Sequence, residues 1–163
     1  SGGVGSAAIQ IARNRGAHVI ATASTRNQSF MRELGAHETI DYTRVKFQEQ
    51  VKHVDVVLNA VDPDNANQAV SVVRPGGYLV SLIGLPPRER CRAAQITCTL
   101  RLPTASPGAT PVSDVLRQFA DWAAAGKLTI PVDRTYPLSK VADAWAYSQG
   151  GRTRGKVIIE IGR

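Results

Sequence analysis

The sequence predicts an α/β fold built on a doubly wound parallel sheet, and three observations carry that prediction. A glycine-rich turn, Ser1-Gly2-Gly3-Val4-Gly5, leads into Val4, Ala7, Ala8, Ile11 and Ala12 at helical spacing. Helical and strand-like segments then alternate along the chain, as in βαβ units. Two near-continuous apolar runs, Val54–Asn59 and Tyr78–Ile83, have the pattern of parallel strands covered on both faces.

Taken in order, residues 4–15 read as a helix closed by Gly16, and 18–23 as a strand. Ser24-Thr25-Arg26-Asn27 then opens a short helix carrying Phe30, Met31 and Leu34, which Gly35 ends from the C′ position. Glu38–Asp41 is a short strand, and 45–52 a weak helix anchored by Val45 and Val51. After the run 54–59, a helix over 64–73 stops at the breakers Arg74-Pro75-Gly76-Gly77. Residues 86–94 read as a basic loop, 95–102 as a strand and 103–111 as a proline-rich loop. Residues 112–125 form an amphipathic helix with Val112, Val115, Leu116, Phe119, Trp122 and Ala123 on one side, ended by Gly126. A strand over 132–136, a helix over 139–149 and a strand over 156–161 complete the reading.

Composition narrows the function classes. The net charge is +7, with Arg outnumbering Lys three to one, but the basic residues are spread out apart from Arg88, Arg90, Arg92 and Arg101. No nucleic-acid reader motif accompanies the charge, so no nucleic-acid partner is expected. No apolar run approaches the length needed to span a bilayer, and residues 1–15 do not make a signal peptide, so the expected compartment is the cytoplasm. Cys91 and Cys98 fit no zinc-ribbon spacing and are expected to be two reduced thiols. His18, His37 and His53 are scattered, and no metal site is expected.

A glycine turn feeding a helix and then a strand is the phosphate-binding entry of a dinucleotide (Rossmann-type) fold. There the backbone approaches a pyrophosphate at the helix N-terminus, which gives Gly2, Gly3 and Val4 as cofactor-binding candidates. In that fold a strand precedes the turn and lies mid-sheet, so the sheet is expected to be truncated before its first strand and the chain to be part of a longer one. The end of the second strand reads Ala23-Ser24-Thr25-Arg26, with no acid until Glu33. An NAD site wants a carboxylate there. Small hydroxyl residues and a guanidinium suit a 2′-phosphate, which makes Ser24 and Arg26 candidates for NADP(H). Asn59 and Val61, with Ile83 and Gly84, end the next two strands, where ligands bind in open α/β sheets. Asn59 could instead cap the turn that follows it.

These residues together resemble the medium-chain dehydrogenase/reductase superfamily, in its quinone oxidoreductase-like and zinc-binding-dehydrogenase-like branch. The markers run in order: Gly2-Gly3-Val4-Gly5; Leu34-Gly35-Ala36 with Ile40-Asp41-Tyr42; Val54–Leu58; Arg74-Pro75-Gly76-Gly77; Gly126-Lys127-Leu128; Tyr136-Pro137-Leu138; and Gly155-Lys156-Val157. Gln28 departs from the pattern, since many relatives carry Lys there. The resemblance implies a Rossmann portion over 1–125 and a segment over 126–163 that packs on an N-terminal catalytic lobe. It places Tyr42 near the adenine or its ribose, and a strand over 95–102 against its copy in a homodimer. The implied activity is NADP(H)-dependent hydride transfer to a quinone, enone or similar electrophilic alkene, with catalytic residues unassigned. Two alternatives stay open: a zinc-dependent alcohol dehydrogenase whose ligands lie in the other lobe, and a non-catalytic nucleotide-binding or interaction module. Tyr136 and Lys140 match the Y-x-x-x-K of short-chain dehydrogenases, but Pro137 makes Tyr136 extended, with Ser139 as a helix cap, and removes that reading.

Overall fold

The computed structural model describes residues 1–100 and 110–162. These residues form an α/β protein with parallel strands throughout, in a Rossmann-like arrangement. The chain clusters into two units, Ser1–Thr43 with Gln118–Arg163, and Arg44–Arg117. The loop expected over 103–111 and the position of Arg101 fall largely outside the described residues.

In the first unit, α1 (Gly3–Asn14) starts directly on the glycine turn, and Gly16 ends it at φ +79°. β1 (Ile20–Ala23) pairs in parallel with β2 (Glu38–Asp41) through a 3-10 turn at Thr25–Asn27 and α2 (Gln28–Glu33). Ile9, Val19, Ala21, Ala23, Met31 and Ala36 form the small core between them. The later part of the unit pairs β6 (Val132–Pro137) with β7 (Lys156–Glu160) across α7 (Val141–Gln149). Tyr136 is extended in β6, as expected, but Ser139 caps no helix. The segment from 126 onward docks on α1: Gly155 N donates to Ser1 O (3.0 Å), and Gly2 and Gly155 form a parallel bridge.

The second unit holds the short α3 (Phe47–Gln50), then β3 (Val54–Asn59), α4 (Pro63–Ala69), β4 (Val73–Ser81), α5 (Arg88–Ala93) and β5 (Thr97–Thr99). Its strands run in the order β3-β4-β5, all parallel. Several expectations change here. The helix over 64–73 ends at Ala69, and β4 already begins at Val73, opposite Val54. The Arg74–Gly77 breakers become an irregular stretch of that strand. An added Cβ on Gly77 would sit 2.7 Å from Asp55 O, so the two strands can pass each other only because residue 77 lacks a side chain. The basic loop over 86–94 is instead α5, and the strand over 95–102 narrows to three residues lying beside β4.

Cys91 and Cys98, expected as thiols, form a disulfide with Cα atoms 6.2 Å apart. Gln95, at φ +56°, turns the chain after α5 so that β5 runs back beside the helix and brings the two sulfurs together. Finally, β3 is covered on one face only. Val54 and Val57 pack on the cluster of Ala69, Val70, Leu79 and Ile96, whereas Val56 is 58% and Leu58 43% exposed. The helix α6 (Val112–Ala124) half-buries Val115, Phe119 and Trp122 of its predicted apolar side and leaves Val112 and Leu116 exposed.

Candidate functional site

The candidate residues fall into two groups, one in each unit. In the first, Gly2 is extended and serves as N-cap of α1, and Ser6 N donates to Gly2 O (2.9 Å) as the first intrahelical bond. The N–H groups of Gly2, Gly3, Val4 and Gly5 therefore have no helical acceptor, and the first turn carries no acid. Nothing lies within 4 Å of a Cβ added to Gly2 or Gly5, so that end of the helix is open. At Gly3 the reverse holds: the Lys156 Cε and Nζ lie 2.6 Å from an added Cβ, so a side chain there would have to displace the flexible end of that lysine.

Beside this helix end, Ser24 leaves β1 in an extended conformation and Arg26 lies exposed in the 3-10 turn. The loop is shaped from within. Gln28 Nε2 donates to Ala23 O (2.8 Å), which gives the departure from the family pattern a structural use. Asn27, 4% exposed, donates from Nδ2 to Ser1 Oγ (3.0 Å) and Ser24 Oγ (3.3 Å), and its Oδ1 accepts from Arg154 Nε (2.6 Å). Tyr42 N donates to Ala23 O (3.3 Å), so the exposed Tyr42 ring stands at the same strand ends. Asp41, one residue earlier, accepts from Thr25 Oγ1 and from Thr43 N (3.0 Å) and Oγ1 (2.6 Å). Sequence reasoning missed Asn27 and Arg154, whose roles depend on residues 127 positions apart.

In the second unit, Asn59 and Ser81 end adjacent parallel strands and are both buried. Asn59 Nδ2 donates to Ser81 Oγ (2.9 Å) and to Asp62 O (2.8 Å), its Oδ1 accepts from Val61 N (3.3 Å), and Leu82 N donates to Asn59 O (2.8 Å). Asn59 thus closes the turn after its own strand. It presents Val61, Ile83 and Gly84 as an exposed rim at the C-terminal ends of β3 and β4. Gly84, at φ +68°, packs against Pro63, where an added Cβ would lie 3.0 Å from Pro63 Cγ. Asp62 caps α4 through Asn65 N (2.7 Å), and that backbone bond leads the contacts holding its carboxyl below the usual carboxylate range.

A family model described as zinc-binding dehydrogenase matches residues 34–159. The chain belongs to the zinc-binding dehydrogenase family. Relatives of this family member include an NADPH-dependent alkenal/one oxidoreductase from Arabidopsis thaliana, 34% identical over 98% of this chain and 38% of its own length. A quinone oxidoreductase from Pongo abelii is 30% identical over 98% of this chain and 52% of its own. Among solved structures, the quinone oxidoreductase from Coxiella burnetii superposes with a TM-score of 0.84 at 28% identity, over 99% of this chain and 50% of that one. The chain thus spans about half the length, or less, of the relatives it matches.

The family name implies a zinc ion, and the residues described do not fit one, since no group of three His, Cys, Asp or Glu converges among them. They do fit a phosphorylated dinucleotide. The open, acid-free start of α1 lies in the same unit as a loop offering a hydroxyl and a guanidinium. Among the described residues no helix is long and apolar enough to cross a membrane.

Proposed function

We propose that the chain is the cofactor-binding portion of an NADP(H)-dependent oxidoreductase that transfers hydride to a quinone, enone or similar activated alkene. The observation that carries this reading is the loop after β1. It offers Ser24 and Arg26 where an NAD site would place a carboxylate, on a strand leading from a helix N-terminus that is open at Gly2 and Gly5. Bound NADPH would supply the hydride. The protein's part is to hold it: N–H groups of the α1 turn without a helical acceptor for the pyrophosphate, Ser24 and Arg26 for the 2′-phosphate, and Tyr42 beside the adenosine half. The named relatives support this reading, since they include an NADPH-dependent alkenal/one oxidoreductase and quinone oxidoreductases.

By the resemblance, the full-length protein is a homodimer acting on a small electrophilic substrate; composition alone makes the cytoplasm the compartment proposed for it. A monomer mass in light scattering would remove the first part, and an organellar fluorescent fusion the second.

The decisive experiment measures cofactor dissociation constants on the full-length protein. NADPH is expected to bind more tightly than NADH. Arg26→Ala is expected to raise the NADPH constant at least about tenfold, the loss of one charge-assisted contact, while leaving NADH nearly unchanged. Equal weakening of both cofactors overturns the reading. NADPH consumption with an enone or a quinone, against zinc-dependent oxidation of an alcohol, separates the reductase from an alcohol dehydrogenase.

A further inference from the structure

The turn leading into β7, Gly150–Gly155, carries two arginines for which the sequence reading found no use, and the structure ties both to the loop after β1. Arg154 Nε donates to Asn27 Oδ1 (2.6 Å) and its Nη2 to Arg26 O (2.6 Å). Arg26 answers in the other direction, donating from Nη2 to Arg152 O (3.1 Å). Residues 26–27 and 152–154 are therefore interlocked through bonds running both ways, all within one unit. The Arg154 guanidinium also stands 5.9 Å from the Phe30 ring centroid, which leaves little of it for anything else.

The Arg152 side chain differs. It is exposed and makes no hydrogen bond or ion pair among the described residues. Neither Arg26, Arg152 nor Arg154 is joined to a carboxylate there by an ion pair. Because the Arg26 guanidinium donates to the Arg152 carbonyl, the exposed Arg152 side chain starts from backbone that touches the guanidinium proposed for the 2′-phosphate. A phosphomonoester carries close to two negative charges at neutral pH and accepts bonds on three oxygens. Guanidinium forks suit it better than ammonium groups do.

We propose that Arg152 is a second anchor for the 2′-phosphate of NADP(H), and that Arg154 is a positioning residue holding the 24–27 loop in shape for it. This rests on the NADP(H) reading above and adds a specificity element from the far end of the chain. Arg152 supplies charge and donors. Arg154 acts only through Asn27 and the Arg26 carbonyl.

The test uses calorimetry on the full-length protein with two probes that differ only in the 2′-phosphate, 2′,5′-ADP and 5′-AMP. Arg152→Gln is expected to weaken 2′,5′-ADP about fivefold or more, leave 5′-AMP unchanged and flatten the salt dependence of 2′,5′-ADP binding. Arg152→Glu is expected to weaken it further. Arg154→Lys keeps the charge but loses the fork, and is expected to weaken 2′,5′-ADP alone. If Arg152→Gln and Arg152→Glu bind both probes like the parent while Arg26→Ala loses 2′,5′-ADP, this inference is overturned and the proposed function stands. If the parent itself binds the two probes equally, the NADP(H) reading fails and takes this inference with it.

Discussion

Gln10 and Thr129 hold each other through both ends of the Gln10 amide. Nε2 donates to Thr129 O at 2.9 Å, and Oε1 accepts from Thr129 N at 2.8 Å and from Thr129 Oγ1 at 3.1 Å. Gln10 is 7% exposed, and its Nε2 also reaches Ser6 O (3.0 Å). Asn14, one turn further along α1, adds a bond from Nδ2 to Lys127 O (2.7 Å). The helix that begins at the glycine turn is thereby fastened along its length to the segment after Gly126.

Replacing Gln10 by Ala strands the Thr129 backbone on both its donor and its acceptor. Thr129 is itself exposed and its freed groups can turn to water, so the loss is that of the hydrogen bonds, about 0.5–1.5 kcal/mol apiece. Gln10→Ala is expected to lower the unfolding free energy of the full-length protein by about 1–3 kcal/mol, and Asn14→Ala by less, because Asn14 is less buried. Denaturant titration reads the difference, and equal small effects for both would contradict the clamp.

Asn59 lies at the centre of a second buried network, so Asn59→Ala removes its three side-chain bonds at once. Asn59→Asp retains the acceptor for Val61 N but cannot donate to Asp62 O or Ser81 Oγ. Both variants are expected to destabilise the protein and to weaken NADPH. Ser81→Ala, which removes a single partner, is expected to do so less. The check is a melting midpoint and a cofactor titration on the same samples; an Asn59→Ala protein with parental values in both would refute the role.

The Cys91–Cys98 bridge closes a short loop between α5 and β5. A link of that span stabilises by roughly 2–3 kcal/mol in the chain-entropy picture. Thiol titration under native, non-reducing conditions is expected to find neither sulfur free, and reductant is expected to lower the melting midpoint. Two reactive thiols and a midpoint indifferent to reductant would restore the expectation drawn from spacing alone.

The 163-residue chain by itself has exposed strand edges to manage. Among the described residues β1 pairs only with β2, and β3 lies at the end of its sheet with Val56 and Leu58 exposed. Open apolar edges template association between chains. Expressed alone, the chain is expected to melt broadly or aggregate and to consume no NADPH with quinones or enones. A sharp, concentration-independent melt in calorimetry, or measurable turnover, would refute this.

The sequence was legible where a local cause decides the structure. β2 over Glu38–Asp41 and β3 over Val54–Asn59 match residue for residue, because Gly35 stops the helix before one, and the other starts after Lys52-His53 and ends on the polar Asn59. The glycine turn, Ser24, Arg26 and Tyr42 were legible for the same reason: each sits at a strand or helix end that the alternating pattern locates. What escaped depends on distant partners. β4 begins early because Val73 finds Val54 across a contact that only Gly77 permits. α5 has a single buried residue, Cys91, among Arg88, Arg90 and Arg92, so it shows no apolar stripe. Gln10, Asn27, Ser81 and Arg154 look like ordinary polar residues until their partners, 22 to 127 positions away, are in place.

The bond from Arg154 to Asn27 has a consequence for how the protein is made. The loop proposed to choose between cofactors takes its shape from a residue that leaves the ribosome 127 positions later. At typical synthesis rates that delay is on the order of ten seconds. A nascent chain that has exposed only the glycine turn, β1 and α2 can offer a phosphate a helix terminus but not yet a formed selectivity loop. On the proposed function, discrimination between the two nicotinamide cofactors is therefore acquired late, after the ability to grip a pyrophosphate.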